Sequence, residues 1–82
     1  MEILPMHQDL ERYLRARRLF KKFTKQKKLF ISSWRHPSLH TELLEPKEMK
    51  IFSFRIDDKY RAIFIFRDSK TVEIIDINNH YQ

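Results

Sequence analysis

The 82 residues suffice for one domain with one modest core, and with no cysteine the chain has neither a disulfide framework nor a thiolate metal site. Its 17 lysines and arginines against 11 aspartates and glutamates give a formal charge of +6, which favours an anionic partner, nucleic acid or an acidic protein segment, without choosing between them. No stretch approaches the roughly 20 apolar residues of a membrane span, and the N-terminus lacks the basic-then-apolar pattern of a secretory leader, so a single soluble, cytoplasmic domain over residues 1–82 is expected.

Residues 1–4, "MEIL", read as a short edge strand ended by Pro5, which has no N–H for a ladder. From 7 to 35 there is neither Pro nor Gly, and Leu10, Tyr13, Leu14, Phe20, Phe23, Phe30, Ile31 and Trp34 recur at helical spacing. The stripe changes phase across "RARR", between Leu14 and Phe20, which predicts a helical hairpin turning there. Lys21, Lys22, Lys25, Lys27 and Lys28 give the second helix a basic outer face, and Pro37 ends it by about His36. Trp34 reads as core rather than as a platform for a base.

After Pro37 the period becomes two: "LHTELLE", "KIFSFRI", "YRAIFIF" and "TVEIIDI" follow one another across short links. Short links make antiparallel neighbours, so this half predicts a four-stranded meander. Helices first and strands after give an α+β fold, an N-terminal helical hairpin packed on a mainly antiparallel sheet of four to five strands. The chain has no glycine, so turns that need positive φ fall to Asn or Asp, with Asn78-Asn79 and Asp57-Asp58 as the expected places.

The stretch "SFRIDDKYRAIFIF", residues 53–66, carries the sharpest signal. Phe52, Phe54, Ile56, Tyr60, Ala62, Phe64 and Phe66 share one parity and should face the helices, which leaves Ser53, Arg55, Arg61 and Ile63 on the opposite face. If Asp57, Asp58 and Lys59 form the link, Arg55 stands directly opposite Arg61; a link of two or four residues would separate them. Like charges so placed cost roughly 0.2–1 kcal/mol. Either an anion bridges them, or Asp57, Asp58 or Glu73 neutralises them in the free protein.

Three segments, "HPSLHTELLEP", "FSFRIDDKYRAIFIF" and "VEIIDINNH", together resemble the RelE/ParE toxin superfamily of bacterial toxin-antitoxin systems. In that pattern "HPSL" leads into a strand, a "SFRI…YRVIF" hairpin follows, and a "DIG-x-H" strand closes the sheet. The resemblance covers residues 36–80 and implies a small basic toxin neutralised by an antitoxin in a hetero-oligomer. In the RelE-like branch it implies entry into the ribosome and cleavage of mRNA without a cofactor or metal. The 2′-hydroxyl attacks the adjacent phosphate, and the enzyme moves a proton and stabilises charge on the phosphate oxygens.

On that resemblance Arg61 takes the place of the arginine in the family's "YR" step, and Arg55 that of the basic residue on the preceding strand. His80 stands where ribosome-dependent members carry a His or Arg, and its ordinary pKa suits proton transfer. Tyr81 could assist by stacking on a base; Lys59 could assist too, though not on the resemblance, and the general base stays open among Lys59, His80 and Glu73. Lys21, Lys22, Lys25 and Lys28 would bind RNA phosphates, or simply form a solvated face. Asn78 replaces the family's glycine, and Tyr81-Gln82 stands where many members read "EVY", which leaves weakened activity as an alternative. His7, His36 and His40 do not make a metal set, and Glu42 and Glu73 are not singled out by spacing. Two other functions stay open: a ParE-like inhibitor that binds DNA gyrase without chemistry, and a degenerate toxin that only binds antitoxin.

Overall fold

The phase change between Leu14 and Phe20 separates two helices, α1 over Gln8–Ala16 and α2 over Phe20–Ser32. The computed structural model describes residues 1–79. At the start of α1 the Nδ1 atom of His7 accepts the Asp9 N–H at 3.0 Å, while Asp9 and Glu11 in the first turn and Arg15 in the last suit the helix dipole. Leu14 and Leu19, on either side of the turn, are buried.

Five strands form one mixed sheet: β1 at Glu2–Ile3, β2 at Glu42–Leu43, β3 at Ile51–Arg55, β4 at Tyr60–Asp68 and β5 at Thr71–Asn79. Their order is β1-β5-β4-β3-β2. The expected meander is present from β2 to β5, and β1 is the expected edge strand, running parallel to β5. The expected α+β architecture is thus the observed one. Among the described residues no helix is long and apolar enough to cross a membrane.

The helical pair covers one face of this sheet, and aromatic rings fill the space between. Phe30 of α2 lies 5.0 Å, ring centre to ring centre, from both Phe54 and Phe64. Trp34 packs edge-on against Phe66 at 5.2 Å and Phe52 at 5.9 Å, as a core residue, and Tyr13 of α1 meets Tyr60. Such pairs add to the burial of large rings. They also fix the parity of β3 and β4.

Two expectations are corrected. "LHTELLE" is not a strand throughout: Pro37–Leu39 forms a single 3₁₀ turn, started by His36 Nδ1 accepting the Ser38 N–H, and only Glu42–Leu43 pairs with β3. Pro at the first position suits that turn, and the turn drops Leu39 into the core. Nor, among the described residues, do Asn or Asp supply the positive-φ positions, which are Arg18, His40 and Lys50. His40 and Lys50 each end a 3₁₀ turn, and Arg18 follows α1. Helices commonly end on a left-handed residue, and these three ends do so without glycine, whereas α2 ends on extended Ser33. Asn78 and Asn79 are extended in β5 instead, and in the 57–59 link the Asp57 side chain rather than a left-handed backbone satisfies the turn, accepting the N–H groups of Lys59 and Tyr60 at 2.9 Å.

A bulge in β5 has a further effect. The pairing steps from Ile63↔Asp76 to Phe64↔Ile74, so Ile75 is the extra residue. Val72 and Ile74 therefore face the core on one side of it, and Ile77 on the other. Phe30→Ala removes the ring on which both central strands pack and should cost about 3–5 kcal/mol, read as a large fall in the thermal unfolding midpoint.

Candidate functional site

The three-residue link holds, and Arg55 pairs in register with Arg61. Because cross-strand partners share a face, the register defines two rows on the side away from the helices: Glu42, Ser53, Ile63 and Asp76 in one, Arg55, Arg61 and Asn78 in the other. The bulge puts Asn78 there. Without it, the parity of Val72 and Ile74 would carry Asn78 to the helical side.

The two arginines are held very differently. Arg61 is only 7% exposed. Its Nε donates to Ser53 Oγ at 2.8 Å, and its Nη2 donates to the His40 carbonyl and, at 3.3 Å, to the Ser53 carbonyl. Glu42 Oε1 lies 4.0 Å from the same Nη2. Burial pulls the Arg61 pKa below the ordinary arginine value, Glu42 opposes that shift, and Arg55 adds to it. Arg61 is thus a cation fixed in place before any ligand arrives. Arg55 is half-buried and pairs with Asp58 in the adjoining link.

Of the three carboxylates expected to neutralise the pair, only Asp58 does so. Asp57 binds Lys22 Nζ at 3.3 Å, and Glu73 accepts from Arg67 Nε at 2.7 Å. The acid facing Arg61 is Glu42, whose pairing with Ser53 depends on where the Pro37 turn lets β2 begin. Gln26 was also missed: it is buried on α2, and its Nε2 donates to the carbonyls of Ser38 (3.1 Å) and Arg55 (2.8 Å). Its only sequence signal is an uncharged polar residue in the lysine run, in phase with Phe23 and Phe30.

Two concavities flank the arginine pair. A groove of ≈ 390 Å³ is lined by Glu42, Ser53, Arg61, Asn78 and Asn79. A cleft of ≈ 640 Å³ between α2 and the β3–β4 link is lined by Lys22, Lys25, Arg55 and Lys59 together with Asp57 and Asp58. The structure therefore brings Arg55, Lys59, Lys22 and Lys25 together, with Arg61 adjacent in register. Lys21 and Lys28 are elsewhere, beside Phe20 and Leu29 on another side of α2. His80 and Tyr81 lie outside the described residues. Among the described residues no group of three or more His, Cys, Asp or Glu side chains could hold a metal ion.

Asp57 is the electrostatic anchor of the link. Burial would raise its pKa, but the N–H groups of Lys59 and Tyr60 and the Lys22 ammonium together hold it below the ordinary carboxylate value. A depressed folded-state pKa stabilises the fold fully above the unfolded value and loses that stabilisation as pH falls through the folded one. Asp57→Ala should therefore cost about 1–2 kcal/mol at pH 7. In urea titrations the gap to the unsubstituted protein should narrow as the pH is lowered below about 4, and Asp57→Asn, which keeps an acceptor oxygen, should cost less.

The fold has solved counterparts. The YoeB/ParE toxin from Agrobacterium tumefaciens superposes with a TM-score of 0.71 at 21% identity, covering 99% of this chain and 100% of that one. A chain of the heterotetrameric YoeB-YefM toxin-antitoxin complex from Staphylococcus aureus gives a TM-score of 0.66 at 19% identity, with 98% and 94% covered. This chain therefore shares the fold of those two structures. No protein-family model matches the sequence. An uncharacterized protein of Haemophilus influenzae is 42% identical over 45 residues, 55% of this chain, and the chain spans only 39% of that relative's length.

Proposed function

We propose that this chain is the toxin of a type II toxin-antitoxin pair and a ribosome-dependent mRNA endoribonuclease that works in the cytoplasm without a metal. The observation that carries this reading is the groove in which a pre-fixed guanidinium, Arg61, lies 4.0 Å from the half-exposed carboxylate of Glu42. The fold supports the toxin reading, and the complex that contains YefM supports an antitoxin as partner, in a hetero-oligomer.

In this mechanism the RNA 2′-hydroxyl gives its proton to Glu42 while its oxygen attacks the adjacent phosphorus. Arg61, through the guanidinium donors not spent on Ser53 and the His40 carbonyl, and Arg55 once it is free of Asp58, stabilise the extra negative charge on the phosphoryl oxygens; guanidinium groups suit that task because they stay charged. The bond to the 5′-oxygen breaks, and His80 returns a proton to that oxygen. The products are a 2′,3′-cyclic phosphate and a 5′-hydroxyl. Lys59 assists beside Arg55, and Tyr81 stacks on a base. Lys22 and Lys25 take neighbouring phosphates, while Lys21 and Lys28 meet ribosomal RNA.

Primer extension on a reporter mRNA in a reconstituted translation reaction tests this. Cuts should require ribosomes, and Glu42→Gln and His80→Ala should each slow them by about 100-fold or more. Arg61→Ala is a poorer probe, since it also strands Ser53 and the His40 carbonyl. Uncut mRNA accompanied by DNA breaks would move the assignment to gyrase inhibition; neither effect, with antitoxin still bound, would mean a degenerate toxin.

A further inference from the structure

We propose that the cleft between α2 and the β3–β4 link binds the RNA backbone at and beside the scissile phosphodiester, and that the Asp58 carboxylate is the built-in competitor of that backbone for Arg55. The choice of ligand rests on the RNA-cleaving reading above. Four cations, Lys22, Lys25, Arg55 and Lys59, line the cleft against two carboxylates, Asp57 and Asp58. Those carboxylates have separate tasks.

Asp57 is committed to the fold: one oxygen accepts two backbone N–H groups of the link and the other meets Lys22. Asp58 does nothing comparable. Its side chain is 85% exposed, and among the described residues its partner is the guanidinium of Arg55. The link is closed without it. A carboxylate against a guanidinium presents the oxygens that a phosphate would, and an exposed pair of this kind contributes little to stability and is readily exchanged.

The backbone of Arg55 stays placed when Asp58 leaves. Its carbonyl accepts from the buried Gln26 at 2.8 Å, and its strand is paired on both sides. Lys25 and Lys59 form no ion pair among the described residues and are available to the same ligand. Register joins the cleft to the Arg61 groove, so an RNA strand can run from one to the other across the arginine pair. An acidic amphipathic peptide fits less well, because the one apolar residue lining the cleft, Ile56, is only 4% exposed.

Fluorescence anisotropy with a labelled 2′-O-methyl oligoribonucleotide, which has no free 2′-hydroxyl to react, reads this directly. Asp58→Asn should tighten binding about two- to five-fold, the range an exposed ion pair spans. The gain should vanish in an Arg55→Ala background. Asp9→Asn, which changes net charge equally on α1, where Asp9 pairs with Arg12, should have a clearly smaller effect. Equal tightening by Asp9→Asn, persistence of the gain without Arg55, or no gain at all would overturn the proposal. So would an acidic amphipathic peptide that displaces the probe at lower concentration than unlabelled RNA does. Because binding is read without cleavage, an Asp58 effect with no ribosome-dependent cuts keeps the cleft and removes the nuclease, and cuts with no Asp58 effect do the reverse.

Discussion

Two guanidinium groups stand opposite each other across β3 and β4, and the rest of the site is arranged around that repulsion. The register cannot relax: a one-residue slip would turn Phe54 and Phe64 out of the core and the arginines into it. The aromatic layer under α2 therefore enforces an arrangement that electrostatics alone disfavours. The opposition is resolved by treating the two cations unequally. Arg61 is sunk among neutral oxygens with one carboxylate at 4.0 Å, while Arg55 takes a partner from the exposed link.

That inequality gives the two cations different uses. A buried guanidinium held by hydrogen bonds to Ser53 and the His40 carbonyl loses little freedom when a charge develops beside it, which is the condition for electrostatic stabilisation without reorganisation. A half-buried one held by an exposed carboxylate exchanges partners easily. Gln26 connects this chemistry to the helical layer, tying the end of β3 to α2 and to the Pro37 turn, so the basic helix and the hairpin are joined at the cleft between them.

The absence of glycine shapes the connections more than the core. The helical ends at Arg18, His40 and Lys50 still adopt left-handed backbone, and an L-residue there costs roughly 1–2 kcal/mol relative to the right-handed form. At His40 the same bend has a use, since it presents the carbonyl that Arg61 binds. The left-handed residue and the fixed cation thus belong to one local structure.

Much of this was legible in the sequence by itself. Local patterns set the helical hairpin, the three long strands, the parity of the aromatics and, through a three-residue link, the facing arginines; each rests on neighbours a few residues apart, where periodicity and turn length are decisive. Only the tertiary structure decided which carboxylate meets which cation. Asp58, rather than Asp57 or Glu73, takes Arg55, and Glu42 takes the flank of Arg61 because the 3₁₀ turn at Pro37 shortens β2 and sets its pairing with Ser53. The bulge at Ile75, which turns Asn78 toward the arginines, and the burial of Gln26 are of the same kind. They depend on how distant segments are brought together, and the order of residues along the chain does not encode those distances locally.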